Sequence, residues 1–153
     1  MKTPGIIVAI AAGFVGIIIW FAMIFSPGSY HDTADYKFDI PEEDLIERVQ
    51  RLKKMDTTLN VPPTELYKEA IDGRPNGNDV YGFYVYFKDE KQLFCCLTWP
   101  VSDNTSEVGL LSVMNEYGLW RVFGRDLTSE EEEQLKVIFE KRIVNKLRSM
   151  DVN

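Results

Sequence analysis

Histidine is the side chain most often used as a general base or metal ligand near neutral pH, and this chain has one, His31. His31 lies in a short polar stretch behind a long apolar run, which suits a solvated linker residue. With no second histidine, Ser-His-Asp and Cys-His schemes lack the base they require in the body of the chain. The two cysteines, Cys95 and Cys96, are neighbours. Together with a distant His31 they do not give the ligand spacing of a tetrahedral zinc site. In a strand they point to opposite faces, so a bond between them would need a distorted peptide, and no disulfide framework is expected. The cysteines therefore leave the redox compartment open.

Carboxylates are the other source of chemistry. A loop starting at Asp72 has Asn76 and Gly77 at the fifth and sixth positions of a calcium loop. Arg74 stands at the third position, where an oxygen ligand belongs, and Phe83 at the twelfth, where a bidentate Glu belongs. An ordinary turn-rich loop accounts for these residues. The run Glu130, Glu131, Glu132 and Glu133 opens a helix whose far end carries Lys141, Arg142, Lys146 and Arg148, an arrangement that compensates the helix dipole. A hydrolase built on two carboxylates is one rival reading, although the sequence singles out no pair. Asn104, Thr105 and Ser106 form a glycosylation sequon, which matters only on a eukaryotic secretory route. No catalytic residue, metal ligand or cofactor is assigned.

Aromatic side chains form the most distinctive cluster. Between residues 80 and 123 strand alternation sends Tyr81, Phe83 and Phe87 to one face, and Tyr84 and Tyr86 to the other. If the second face is open, Tyr84 and Tyr86 with Trp99 and Trp120 make a candidate binding patch for a partner. The competing reading is that cross-strand aromatic pairs simply stabilise the sheet.

The elements that position these residues follow from periodicity. Residues 36–40 alternate as a half-buried strand. Pro41 then opens a helix with Glu42, Glu43 and Asp44 in its first turn, an apolar face of Leu45, Ile46, Val49 and Leu52, and Arg51, Lys53 and Lys54 at its end. Residues 64–71 suggest a short helical turn after Pro62 and Pro63. Residues 80–87 and 92–99 predict one hairpin, and residues 107–114 and 119–123 a second, with a loop over 100–106 between them. Thr128, with Glu131 three residues on, predicts a capping box before a helix striped by Leu135, Ile138, Phe139, Ile143, Leu147 and Met150. The expected fold is α+β: an antiparallel meander of four to five strands with two helices on one face.

Ahead of this domain, residues 5–25 contain no charge, and as a helix they span roughly 30 Å, the thickness of a bilayer core. Trp20 and Phe21 suit an interface, and Ser26, Pro27 and Gly28 end the helix. The division expected is an anchor over 1–29, a tether over 30–35 and a soluble domain over 36–153. A cleaved secretory signal is the alternative, since Ser26 and Gly28 offer a small-x-small site. Lys2 precedes the helix while Asp32 and Asp35 follow it. The positive-inside rule therefore places the N-terminus in the cytoplasm and the domain outside, periplasmic or extracellular. Gly5, Ala9 and Gly13 recur every fourth residue, with Ala12 and Gly16 beside them, a spacing that lets two membrane helices pair into a homodimer. The simpler explanation, preferred to pairing, is that Gly and Ala are common in membrane helices.

The chain of 153 residues carries a net charge of −7, and without Lys2 the remainder carries −8. That sign argues against nucleic acid and against a polybasic lipid contact. These readings together describe a membrane-anchored, non-catalytic protein-interaction domain at the cell envelope. The first rival is an immunity or inhibitor protein whose acidity suits a basic toxic enzyme.

Overall fold

The computed structural model describes residues 34–74 and 80–150. The expected transmembrane helix, with Gly5, Ala9, Gly13 and Gly16, lies outside these residues. Among the described residues no helix is long and apolar enough to cross a membrane.

The domain is α+β. Strand β1 (Ala34–Phe38) leads into helix α1 (Glu42–Met55), and two single 3₁₀ turns follow (Thr57–Leu59 and Glu65–Tyr67). Four strands come next: β2 (Tyr81–Phe87), β3 (Gln92–Ser102), β4 (Thr105–Met114) and β5 (Trp120–Val122). Helix α2 (Ser129–Phe139) then runs through a π turn (Glu140–Val144) into α3 (Asn145–Ser149). All strands are antiparallel, in the order β1-β4-β3-β2, with β5 also on β4.

Strands β2 to β5 form the expected meander, and β1 departs from it. It pairs with β4, from Ala34 opposite Leu110 to Phe38 opposite Ser106, and shares that edge of β4 with β5, which pairs from Ser112 to Met114. Helix α1 crosses the sheet between β1 and β2, so the two strands end on opposite edges. The loop expected over 100–106 is instead a tight turn at Asp103 and Asn104, with β3 and β4 running almost up to it.

Both helices cover one face. Leu45, Ile46, Val49 and Leu52 of α1 pack with Phe139, Ile143, Val144 and Leu147 against Phe83, Phe94, Cys96 and Leu110 of the sheet. The ends of α1 are as the charges predict, with acids in its first turn and Lys53 and Lys54 in its last. The capping box also forms, with Thr128 Oγ1 accepting from the Glu131 amide and Glu131 Oε2 accepting from the Thr128 amide at 2.8 Å. Within the apolar stripe of the last helix, Leu135, Phe139, Ile143 and Leu147 recur every fourth residue. In an α-helix such a stripe drifts around the axis by about 40° at each step. The π turn, wider than an α turn, takes up that drift and keeps Ile143 and Leu147 aimed at the sheet.

A register shift on β4 resets the other half of the sheet. Cys95 pairs with Ser112 while Cys96 pairs with Leu110, leaving Leu111 as the extra residue of a bulge. Cys96 is wholly buried under the helices, and Cys95 faces the other way.

Candidate functional site

The face of the sheet without helices is built of cross-strand ladders. One is Tyr84–Cys95–Ser112–Val122, and its neighbour is Tyr86–Leu93–Met114–Trp120. The second ladder is partly roofed by the segment after Pro62 and Pro63. Tyr67 is buried there with Leu93 and Met114, and Val61, Ala70, Tyr84 and Tyr86 pack around them as a small satellite core. The Tyr67 and Tyr86 rings lie 5.5 Å apart. Two proline-fixed residues stiffen the start of this roof, lowering the entropy lost in laying it down.

The roof stops short of the first ladder and leaves a groove of about 630 Å³. Tyr84, Cys95, Ser112 and Met114 line its floor, residues 65–70 one side, and Trp120 and Val122 the other. The rings of Tyr84 and Trp120 are 6.5 Å apart. Apolar surface is left open at its margin, with Leu66 42%, Trp120 42% and Leu119 62% exposed. Gly118, at φ +79°, turns the β4–β5 hairpin, and a Cβ there would lie 2.7 Å from Leu66 Cδ1. The roof and the hairpin therefore meet at this glycine, and together they set the width of the groove.

The polar groups in the floor are held neutral. Burial pushes the Cys95 thiol up, outweighing hydrogen bonds from Tyr84 and Ser112 that act in the opposite direction. Burial first, and then the adjacent Cys95, raise the Tyr84 hydroxyl to about 12. A protonated thiol is a poor nucleophile, and no histidine lies within the described residues to take its proton. Among those residues no group of three His, Cys, Asp or Glu side chains is placed to hold a metal ion. Asp72, the first residue of the calcium-like loop, is turned to another task. Its carboxylate pairs with Lys53 and accepts from the Tyr84 amide at 2.9 Å, while Lys53 Nζ donates to the Tyr84 carbonyl at 2.9 Å. Gly73 adds a double bridge to Gly82, 2.8 Å in each direction. These contacts cover the outer edge of β2 and fix the strand that carries Tyr84.

All four aromatic candidates lie on the helix-free face, but they do not form one patch. Tyr84 and Trp120 are neighbours in the groove. Tyr86 is half-buried beneath the roof. Trp99 lies two ladders away, its ring over Gly109 and its Nε1 donating to Glu107 Oε2 at 3.1 Å. The sequence reading missed Leu66, Tyr67, Cys95, Ser112 and Met114. The hairpin expected over 80–87 and 92–99 already sets Tyr84 opposite Cys95, so that member was recoverable. The roof over residues 61–70 had no such signal.

The chain matches no protein-family model, no curated protein and no solved structure.

Proposed function

We propose that the chain is a single-pass, membrane-anchored and non-catalytic interaction domain of the cell envelope, with its N-terminus in the cytoplasm and its domain on the outer side. The groove between Trp120 and residues 65–70 seats a protein partner. One observation carries the interaction part of this reading: a preformed aromatic groove whose margin keeps Leu66, Leu119 and Trp120 open to solvent, while the other face of the same sheet is closed by helices. Neutral floor groups favour binding over bond-breaking.

The test is a photo-crosslinking residue introduced into the full-length chain in its own membrane, at Leu66 or at Val137 of α2. Leu66 should give a discrete protein adduct that Trp120→Ala and Tyr84→Ala abolish, and Val137 should give none. Equal adducts at both positions, or an adduct indifferent to Trp120→Ala, would refute the groove. Orientation has a separate test, because protease added to the outer side of the membrane in intact cells, or in spheroplasts where an outer membrane is present, should digest the domain, and protection would reverse the topology. Helix pairing through Gly5, Ala9, Gly13 and Gly16 predicts that Gly13→Leu weakens self-association, and an unchanged dimer fraction would end that idea.

A further inference from the structure

Charge is divided unevenly between the layers of this domain. Helix α1 carries four acids and four bases, and the stretch from α2 to α3 carries five of each. Both helices are therefore neutral. Among the described residues outside them there are twelve acids and seven bases, so the excess negative charge lies on the strands and connections. Part of that charge rims the groove. Glu65 and Glu69 line one side, and the only base lining it, Lys68, is already paired to Glu65 at 3.2 Å. Beyond the hairpin, Lys91 is paired to Glu116 at 2.9 Å. Glu69 has no ion pair among the described residues, and on the same face Glu107 holds the Trp99 indole rather than a cation.

Resting on the interaction reading, we propose that the groove's occupant is a short cationic and apolar stretch of the partner polypeptide, with Leu-like side chains seated between Tyr84, Met114 and Trp120 and Lys or Arg side chains reaching Glu65 and Glu69. The shape suits a chain. The floor ladder crosses four strands, three spacings of roughly 4.8 Å, which an extended backbone covers in about four residues. The apolar surface continues past the groove onto Leu119 and Tyr117, beyond the reach of a small cation. Acidic surroundings also draw such a segment in by steering, an effect that salt weakens.

Cys95 provides the readout, because it lies in the floor, while Cys96 is wholly buried on the other face and reports unfolding if it reacts. The full chain, in nanodiscs of zwitterionic lipid, is alkylated at about pH 9 with excess iodoacetamide, in the presence of six-residue peptides alternating Leu with Lys, with Gln or with Glu. The reagent slowly traps the thiolate fraction of Cys95 while Lys side chains stay charged. The Leu/Lys peptide should protect Cys95 at a concentration about tenfold below Leu/Gln, and Leu/Glu should not protect it. The double variant Glu65→Gln, Glu69→Gln, at two exposed positions, should bring Leu/Lys to the Leu/Gln level with Cys96 still unreactive, and Trp120→Ala should remove protection by both. Equal protection by all three peptides would overturn the charge preference and leave the groove standing. Protection by spermine matching that of Leu/Lys would overturn the polypeptide. If no peptide protects Cys95, this proposal fails, and the crosslink from Leu66 then decides separately whether the interaction reading fails with it.

Discussion

Along β2, β3 and β4 the two faces of one sheet are finished differently. On the helix side Phe83, Phe87, Phe94 and Phe139 are wholly buried, with Phe87 and Phe94 at 4.6 Å and Phe94 stacked on Phe139 at 6.1 Å and 6°. On the other side the same strands present Tyr84, Tyr86, Leu97 and Trp99, none of them fully covered. The difference lies in residue choice as much as in cover. The inner positions hold Phe83, Phe87 and Phe94, which need no hydrogen-bond partner in a dry core, with Tyr81 and Tyr36 toward its edges. The aromatic residues at the outer positions are Tyr and Trp, whose polar tips tolerate a half-wet surface. One face supplies the stability that lets the other remain open.

The largest effect that tests this division is expected at Phe139. Its ring touches both Tyr36 and Phe94, and Phe139→Ala should cost about 3–5 kcal/mol, a large part of the total for a domain of this size. Urea unfolding measures it. A loss below about 1 kcal/mol would mean that the inner face is not the main core.

Trp99 provides the next test, because its ring is seated on a residue with no side chain. A Cβ at Gly109 would lie 2.5 and 2.7 Å from the ring carbons. Gly109→Ala should displace the indole from Glu107, shift its fluorescence and cost about 1–3 kcal/mol. An unchanged spectrum would show that Trp99 is loosely held and available to a partner. At Trp120, already 42% exposed, truncation to Ala removes one ring pair and should cost only about 1 kcal/mol in the same assay. A loss near that of Phe139→Ala would turn the groove wall into core and weaken the case for a binding surface.

What could be read from the sequence divides along the same line. The inner face was legible because it obeys local rules: period-two alternation at Phe83, Val85 and Phe87, a capping box at Thr128, and acids then bases along α1. The outer face depends on contacts that local rules do not contain. That Leu66 meets Gly118, and that residues 61–70 fold back over Tyr86, depends on the meeting of segments about fifty and twenty residues apart. The pairing of β1 with β4 is non-local in the same way, and nothing in residues 34–38 names a partner strand. The bulge at Leu111 decides which residues of β4 accompany Cys95, and one inserted residue reverses the faces on either side of it. Of the four candidate rings the structure brings together only Tyr84 and Trp120, and the walls around them had no local signal.

The smallest expected effect concerns the seam that ties the outer hairpin to the helix layer. Arg121 of β5 donates to Glu131 Oε2 at 2.7 Å, and the same carboxylate closes the capping box of α2. Arg121 first, and then the Thr128 amide and hydroxyl, hold the Glu131 carboxyl at about 2, well below its ordinary 4.5. Because the folded value is depressed, the carboxylate's contribution is fully present above the unfolded value. It is lost as pH falls from about 4.5 through about 2. Asp126, beside Arg125 and the Val122 amide, is lowered to about 2 and acts in the same window. Glu131→Gln keeps a capping side chain but has no proton to gain, so its unfolding free energy should fall less than wild type over that range. Urea titrations at a series of pH values compare the two slopes. Parallel slopes would show that water screens the Arg121–Glu131 pair, and that the outer hairpin is held to the helices by Phe123 and its apolar neighbours rather than by charge.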